Sequence, residues 1–334
     1  MPKRVTIEAL ADWLRTKDDV VLLGHLYPDG DTAGTNLALR HALRAMGKRA
    51  VVCLPGGMPG LYAYLPGASS IVDPGEPLPF APKTALAADV AEHERLGEAG
   101  MTLFDACPDR AALDHHATNP GFGQVYALDG SAAAAGEMAV DLIAALGVAL
   151  TPEMAECLLV AISTDCGHFS FSNTRPQTML AAARCIEAGA DIARISEGLY
   201  RTRTVARTKL LGVVLAGLEL SDDGTVAWAK LTDAMLHQTG ANKEDSEGIV
   251  NYLIEMIGVR VAVLASERGT STKLSLRSKT SFNVARDLAV PLGGGGHDCA
   301  AGATLELPID AALQKAVAMA LDAMARRKTE TDAK

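Results

Sequence analysis

Val20-Val21-Leu22-Leu23-Gly24-His25-Leu26-Tyr27-Pro28-Asp29-Gly30-Asp31 decides how this chain is read. The continuous apolar run Val20–Leu23, closed by a glycine, predicts a strand buried on both faces, as in a parallel sheet. Immediately after it, one imidazole and two carboxylates fall within seven residues, at His25, Asp29 and Asp31. A second cluster follows the same plan: Leu113-Asp114-His115-His116 places a carboxylate and two imidazoles behind another short apolar segment. A single strand-end Asp is most often a helix N-cap. Two such clusters in one chain point instead to a polynuclear metal site, and so to hydrolysis.

Working outward, Val5–Leu14 reads as an amphipathic helix and Thr32–Met46 as a helix ended by Gly47. Ala50–Leu54, Thr84–Ala88 and Ala111–Leu113 read as further strands. Alternation of strands and helices predicts an α/β fold, its N-terminal domain a mostly parallel sheet flanked by helices. Ligands of such sheets bind outside the carboxyl ends of the strands, where His25, Asp89 and Asp114 fall. From Ser131 to about Ala190 the chain reads as mostly helical, interrupted by a polar turn at Ala161–Gly167. A basic, Thr-rich stretch, Tyr200–Lys209, lacks a strong apolar period and reads as a linker. Beyond it, strands at Thr225–Leu231, Val259–Ser266 and Thr272–Arg277 predict a smaller C-terminal α/β domain with a mixed sheet. The boundaries expected are 1–198, a linker over 199–212, and 213–328.

Composition narrows the function. At 334 residues, nearly half of them apolar, the chain has material for two cores. A formal charge of −9 argues against coating long nucleic acid, which needs an extended basic surface. It leaves room for a small anionic substrate. The six cysteines form no C-x-x-C pair, which fits reduced thiols. No leader pattern and no apolar segment of about 18–20 residues is present, so a cytoplasmic, non-membrane protein is expected. Nitrogen and oxygen donors without thiolates suit Mn²⁺, Mg²⁺, Fe²⁺ or Zn²⁺.

The motifs resemble those of the DHH phosphoesterase superfamily. Asp114-His115-His116 matches the triplet that names it, and His25-x-x-x-Asp29-x-Asp31 its first motif. Ala88-Asp89-Val90 followed by Glu94-Arg95-Leu96-Gly97 resembles the second. Thr164-Asp165-Cys166-Gly167-His168-Phe169 resembles the fourth, with Cys166 in place of its usual Thr. Ser275–Lys279 and Gly293-Gly294-Gly295-Gly296-His297 resemble the DHH-associated domain and its G-G-G-H signature. The nearest subgroup is the stand-alone nanoRNases and 3′-phosphoadenosine-5′-phosphate (pAp) phosphatases.

The resemblance implies two divalent ions, Mn²⁺ foremost, with Mg²⁺ or Co²⁺ as alternatives. His25, Asp29 and Asp89 would hold the first. Asp31, Asp89, His115 and Asp165 would hold the second, with Asp89 bridging. Asp105, behind another apolar run, competes for the bridging position. Asp114 would orient His115, and His116 would contact the scissile phosphate. Arg277, Ser278, Gly294, Gly295, Gly296 and His297 would hold the rest of the substrate, with His168 in a supporting role. The reaction implied is attack by a metal-bridging hydroxide on short oligoribonucleotides, giving 5′-mononucleotides, or on pAp, giving AMP and phosphate. Cyclic dinucleotides such as c-di-AMP, or linear pApA, are alternative substrates for the same site. A catalytically silent nucleotide-binding regulator is the reading from another class. A homodimer is among the assemblies left open.

Overall fold

The structure, a computed structural model, describes residues 2–201, 203–279 and 282–332; the side chains of Tyr200, Arg201, His297 and residues 327–332 lie outside that description. The chain forms two compact units, Met1–Thr202 and Arg203–Lys334.

The first unit is built on six parallel strands: β1 (Lys3–Arg4), β2 (Val20–Leu23), β3 (Ala50–Cys53), β4 (Thr84–Ala88), β5 (Asp109–Asp114) and β6 (Val125–Leu128). Their order is β1-β6-β5-β4-β2-β3, and every pairing is parallel. The apolar run of β2 is buried on both sides as expected. Val20 and Leu22 enter one core with Leu10, Leu37 and Leu158, while Val21 and Leu23 enter another with Leu96 and Phe104. Helices α1 (Ile7–Arg15), α2 (Gly30–Ala45), α3 (Gly97–Ala106), α4 (Ala135–Ala145), α5 (Pro152–Asp165), α6 (Pro176–Glu187) and the short α7 (Ile192–Ser196) complete the unit.

After β3 the chain returns to the opposite side of β2 to form β4. This reversal between β2 and β4 is a topological switch point, where open α/β sheets leave a crevice. Leu23 pairs with Ala87, and Ala88 with Leu113. Continuing that register places His25, Asp89 and Asp114 in one row along the crevice.

Helix α2 is buried from Gly30 to Arg40, polar residues included. It lies close against α5 because Gly34 has no side chain: a Cβ there would fall on the Cys157 carbonyl oxygen, with the Ala161 Cβ 3.1 Å away. That close approach brings the start of α2, with Asp31, to the end of α5, with Asp165.

The second unit carries α8 (Val205–Ala216), β7 (Glu219–Leu220), β8 (Val226–Leu231), α9 (Asp233–Thr239), α10 (Ile249–Ile254), β9 (Val261–Arg268), β10 (Ser271–Ser278), β11 (Gly295–His297), β12 (Ala300–Leu305) and α11 (Ile309–Asp332). Its sheet runs β11-β12-β10-β9-β8-β7 and is mixed, with β8 and β9 parallel and the other pairs antiparallel. The stretch read as a linker is largely helix α8. Leu210 and Val214 are fully buried against Ala227, Leu236 and Leu253, so this segment belongs to the second unit's core. Among the described residues, no helix is long and apolar enough to cross a membrane.

Replacing Gly34 by Ala should lower stability by about 1–3 kcal/mol through overpacking, despite alanine's better helix propensity. Urea denaturation checks it, and an unchanged midpoint would show that α2 and α5 are not in tight contact at this residue.

Candidate metal centre

Each candidate ligand stands where a regular element ends. His25 follows β2. Its Nδ1–H donates to the Leu26 carbonyl at 2.7 Å, which turns Nε2 toward Asp29 (3.8 Å) and Asp89 (3.5 Å). Asp29 is also the N-cap of α2: its Oδ1 accepts from Thr32 N at 3.0 Å while Oδ2 faces His25. The N-cap and ligand roles are therefore compatible in one carboxylate.

Asp89 ends β4 with φ +62°, a left-handed conformation that non-glycine residues seldom adopt. Its amide still pairs with Leu113 O at 2.9 Å. The side chain is only 2% exposed, and its two oxygens face opposite ways. Oδ2 lies 3.5 Å from His25 Nε2 and accepts from Thr32 Oγ1 at 2.6 Å, while Oδ1 lies 3.5 Å from His115 Nε2. Asn36 on α2 donates to Ala88 O at 3.3 Å and so ties the helix to the same strand end.

Asp31 is wholly buried. Its oxygens accept from Ala135 N (2.6 Å), Gly136 N (2.8 Å) and Thr35 Oγ1 (2.9 Å), so it caps α4 from the neighbouring helix. His115 Nδ1 faces Ala132 O at 3.2 Å, leaving Nε2 toward Asp31 (3.7 Å), Asp89 (3.5 Å) and Asp165 (3.3 Å). Three donor groups emerge among the described residues, His25–Asp29–Asp89, Asp31–His115–Asp165 and Asp89–His115–His116, and within each the donor atoms lie within 4.8 Å of one another. Asp89 belongs to the first and the third, and it touches the second through His115.

Asp114 departs from the expected role. Its Oδ1 accepts from His116 Nδ1 at 2.8 Å, not from His115. β5 ends at Asp114, and in the turn that follows the His116 amide also donates to Asp114 Oδ2 at 3.3 Å. The other oxygen of Asp114 accepts from Asn119 Nδ2 at 2.6 Å, and Asn119 also donates to Val90 O at 3.1 Å. Asn119 is a buried residue that the sequence reading passed over, although it stands close behind the triplet. Asp105 lies on α3, 60% exposed and paired with His93 at 3.2 Å, outside the cluster. His168 ties the turn after Asp165 together through Ser163 (3.0 Å) and Ser196 (2.7 Å).

The electrostatics suit cations. Burial pushes Asp31 well above the usual carboxylate range, and Asp89 and Asp165 add to the push. Burial likewise lifts Asp165 to about 7. Asp89 is held well below the usual range, against the cost of its burial, by His115 and His25. Burial opposes the proton on His25, but the hydrogen bond to Asp89 and the charges of Asp89 and Asp29 together outweigh it and raise its pKa to about 9. Buried carboxylates thus crowd together with only imidazolium to balance them. Hard nitrogen and oxygen donors in such an arrangement fit divalent ions.

Of the second-unit candidates, Arg277 is half-buried on β10, its Nε donating to Asn251 Oδ1 at 3.1 Å and its Nη1 to Leu276 O at 3.0 Å. Ser278 is committed internally, its hydroxyl bonded to Phe282 O (2.6 Å) and Asp298 O (3.2 Å). The glycine run leads into a strand of the second sheet. Gly295–His297 pairs antiparallel with β12. A Cβ on Gly294 would meet Ala303 Cα at 2.7 Å, and one on Gly296 would meet Ala300 O at 2.5 Å, so these glycines let two strands approach. A Cβ on Gly295 would meet nothing within 4 Å. The His297 side chain lies outside the described residues.

Residues 223–326 match the DHHA1 domain. A bifunctional oligoribonuclease and PAP phosphatase from Thermus thermophilus, NrnA, is 36% identical over 298 residues, 89% of this chain and 87% of that protein. The chain belongs to the DHH phosphoesterase family. Another family member of the same name, from Bacillus subtilis, is 25% identical over 86% of this chain and 90% of its own length. In three dimensions, an exopolyphosphatase-related protein from Bacteroides fragilis superposes with a TM-score of 0.88 at 26% identity, covering 97% of this chain and 96% of that one.

In a DHH phosphoesterase built this way, Asn119→Ala should lower kcat by roughly 10–100-fold, the cost usual for losing an orienting partner. It should act through Asp114 and His116. In a His116→Ala background the same change should therefore have little further effect on kcat. Full additivity in that double-mutant cycle would refute the relay.

Proposed function

We propose that this chain is a metal-dependent hydrolase that cleaves short oligoribonucleotides to 5′-mononucleotides, or pAp to AMP and phosphate. The observation that carries this reading is the shared carboxylate of Asp89, set between two groups of metal-type donors. His25, Asp29 and Asp89 would hold one ion, and Asp31, Asp89, His115 and Asp165 the other. When bound, two divalent cations lower the pKa of a shared water and neutralise charge on phosphoryl oxygens; Mn²⁺ is our first choice.

The protein's own groups then divide the remaining work. Leu26 O and Ala132 O fix the tautomers of His25 and His115 so that Nε2 faces the centre. Asp114 holds the His116 ring through Nδ1; burial opposes protonation there, but the Asp114 hydrogen bond and the charges of Asp114 and Asp89 together raise its pKa. The protonated ring would donate Nε2–H to the leaving oxygen as the phosphoester bond breaks. In the second unit, Arg277 would take a phosphate that is not cleaved, its guanidinium plane set by Asn251. The open face of Gly295 would allow substrate close to the backbone. The names of the relatives support the choice of short RNA and pAp over long nucleic acid, as does the net charge of −9.

Exhaustive chelation should abolish hydrolysis of pAp and of a short RNA, and Mn²⁺ should restore it; activity that survives chelation contradicts the reading. Gly295→Ala tests the second unit. It should raise KM for pAp about ten-fold while leaving Tm in place, because the added methyl finds open space. An unchanged KM would remove this loop from the substrate site.

A further inference from the structure

Tyr27 breaks the local rules of the chain. It is an aromatic residue at φ +59°, in the left-handed region that bulky side chains rarely enter. Pro28 follows it, and a residue before proline is steered toward extended backbone. Its ring is 87% exposed, so it adds almost nothing to the core. Folding alone gives no reason for a strained, solvent-facing tyrosine here.

The turn around it is held firmly. The Leu26 amide donates to Arg95 O at 2.7 Å, and the Leu26 carbonyl accepts from His25 Nδ1 at 2.7 Å. Leu26 packs over Gly97, where a Cβ would lie 2.8 Å from its Cδ2. On the other side Asp29 caps α2 through Thr32 N. Strain of this kind persists where the surroundings over-determine it, and it concentrates at ligand clamps. The backbone of Tyr27 is thus held firmly, two residues from His25 and two from Asp29 along the chain, and its ring faces solvent.

We propose that Tyr27 is a stacking platform for the nucleobase of the nucleotide whose phosphate is cleaved. This inference rests on the phosphoesterase reading given above. A nucleotide whose phosphate lies at His25 and Asp29 carries its base one sugar away, and Tyr27, between those two residues in the chain, is the exposed aromatic residue of this turn. Every base has a π-face, so the platform selects a nucleotide over a simple phosphoester while tolerating base identity. The hydroxyl is not needed for stacking; the aromatic face is.

The test compares Tyr27→Phe with Tyr27→Asn in the full chain reconstituted with Mn²⁺. Asparagine tolerates a left-handed backbone and so keeps the turn without the ring. Tyr27→Asn should raise KM for pAp and for an adenine dinucleotide about ten-fold, with Tm held. Tyr27→Phe should match the wild type. With an abasic dinucleotide the penalty of the Asn variant should disappear. A Tyr27→Asn protein with unchanged KM on the adenine substrates, or an equal penalty on the abasic one, overturns the stacking role. A wild-type protein that hydrolyses none of these substrates overturns the phosphoesterase reading itself, which is a separate result.

Discussion

A single buried carboxylate organises the first unit. Asp89 sits at the end of a central strand, nearly inaccessible, with one oxygen toward His25 and the other toward His115. An isolated ionised carboxylate in such a position costs far more than a protein can spare. It is tolerable only among donors and cations, and the surrounding residues are arranged accordingly. Thr32 donates to it, two imidazoles flank it, and its strained φ aims it into the switch-point crevice. The strain and the burial both follow from the place of Asp89 between His25 and His115 at the end of β4.

The rest of the unit supports that placement. The parallel register brings the ends of β2, β4 and β5 level. Helix α2 carries an unusual row of buried polar residues, and most of them answer to the centre. Asp31 caps α4, Thr32 holds Asp89, Thr35 holds Asp31, and Asn36 ties the helix to β4. Gly34 admits α5 closely enough for Asp165 to approach Asp31's neighbours. Behind the triplet, Asn119 and Asp114 set the ring of His116. Two of these bonds reach the backbone, at Ala135 N and Ala88 O, and the others join one side chain to another.

Much of this was legible in the sequence, for a physical reason. Strands buried on both faces leave uninterrupted apolar runs, so β2 and β4 could be read almost to the residue, and the donors after them stood out. Elements held by pairing rather than by burial left weaker traces. β1 is two exposed basic residues fixed to β6, and β11 is a glycine run whose small size serves its contact with β12. Helix α8 was masked by its basic first turns, although Leu210 and Val214 already had helical spacing. The resemblance pairs Asp114 with His115, but the turn beyond the end of β5 brings His116 to it, a contact that the order of residues does not reveal. The commitment of Ser278 to two carbonyls depends on a distant turn that no local pattern announces.

A two-ion centre in the first unit requires Asp89 to be shared between both donor groups. Metal content of the reconstituted, gel-filtered protein, measured by mass spectrometry for the wild type and Asp89→Asn, tests this most directly. Sharing predicts two Mn²⁺ per wild-type chain and loss of both in the variant, since each donor group loses its common ligand. A wild-type chain holding a single ion, or an Asp89→Asn chain that retains two, would contradict it.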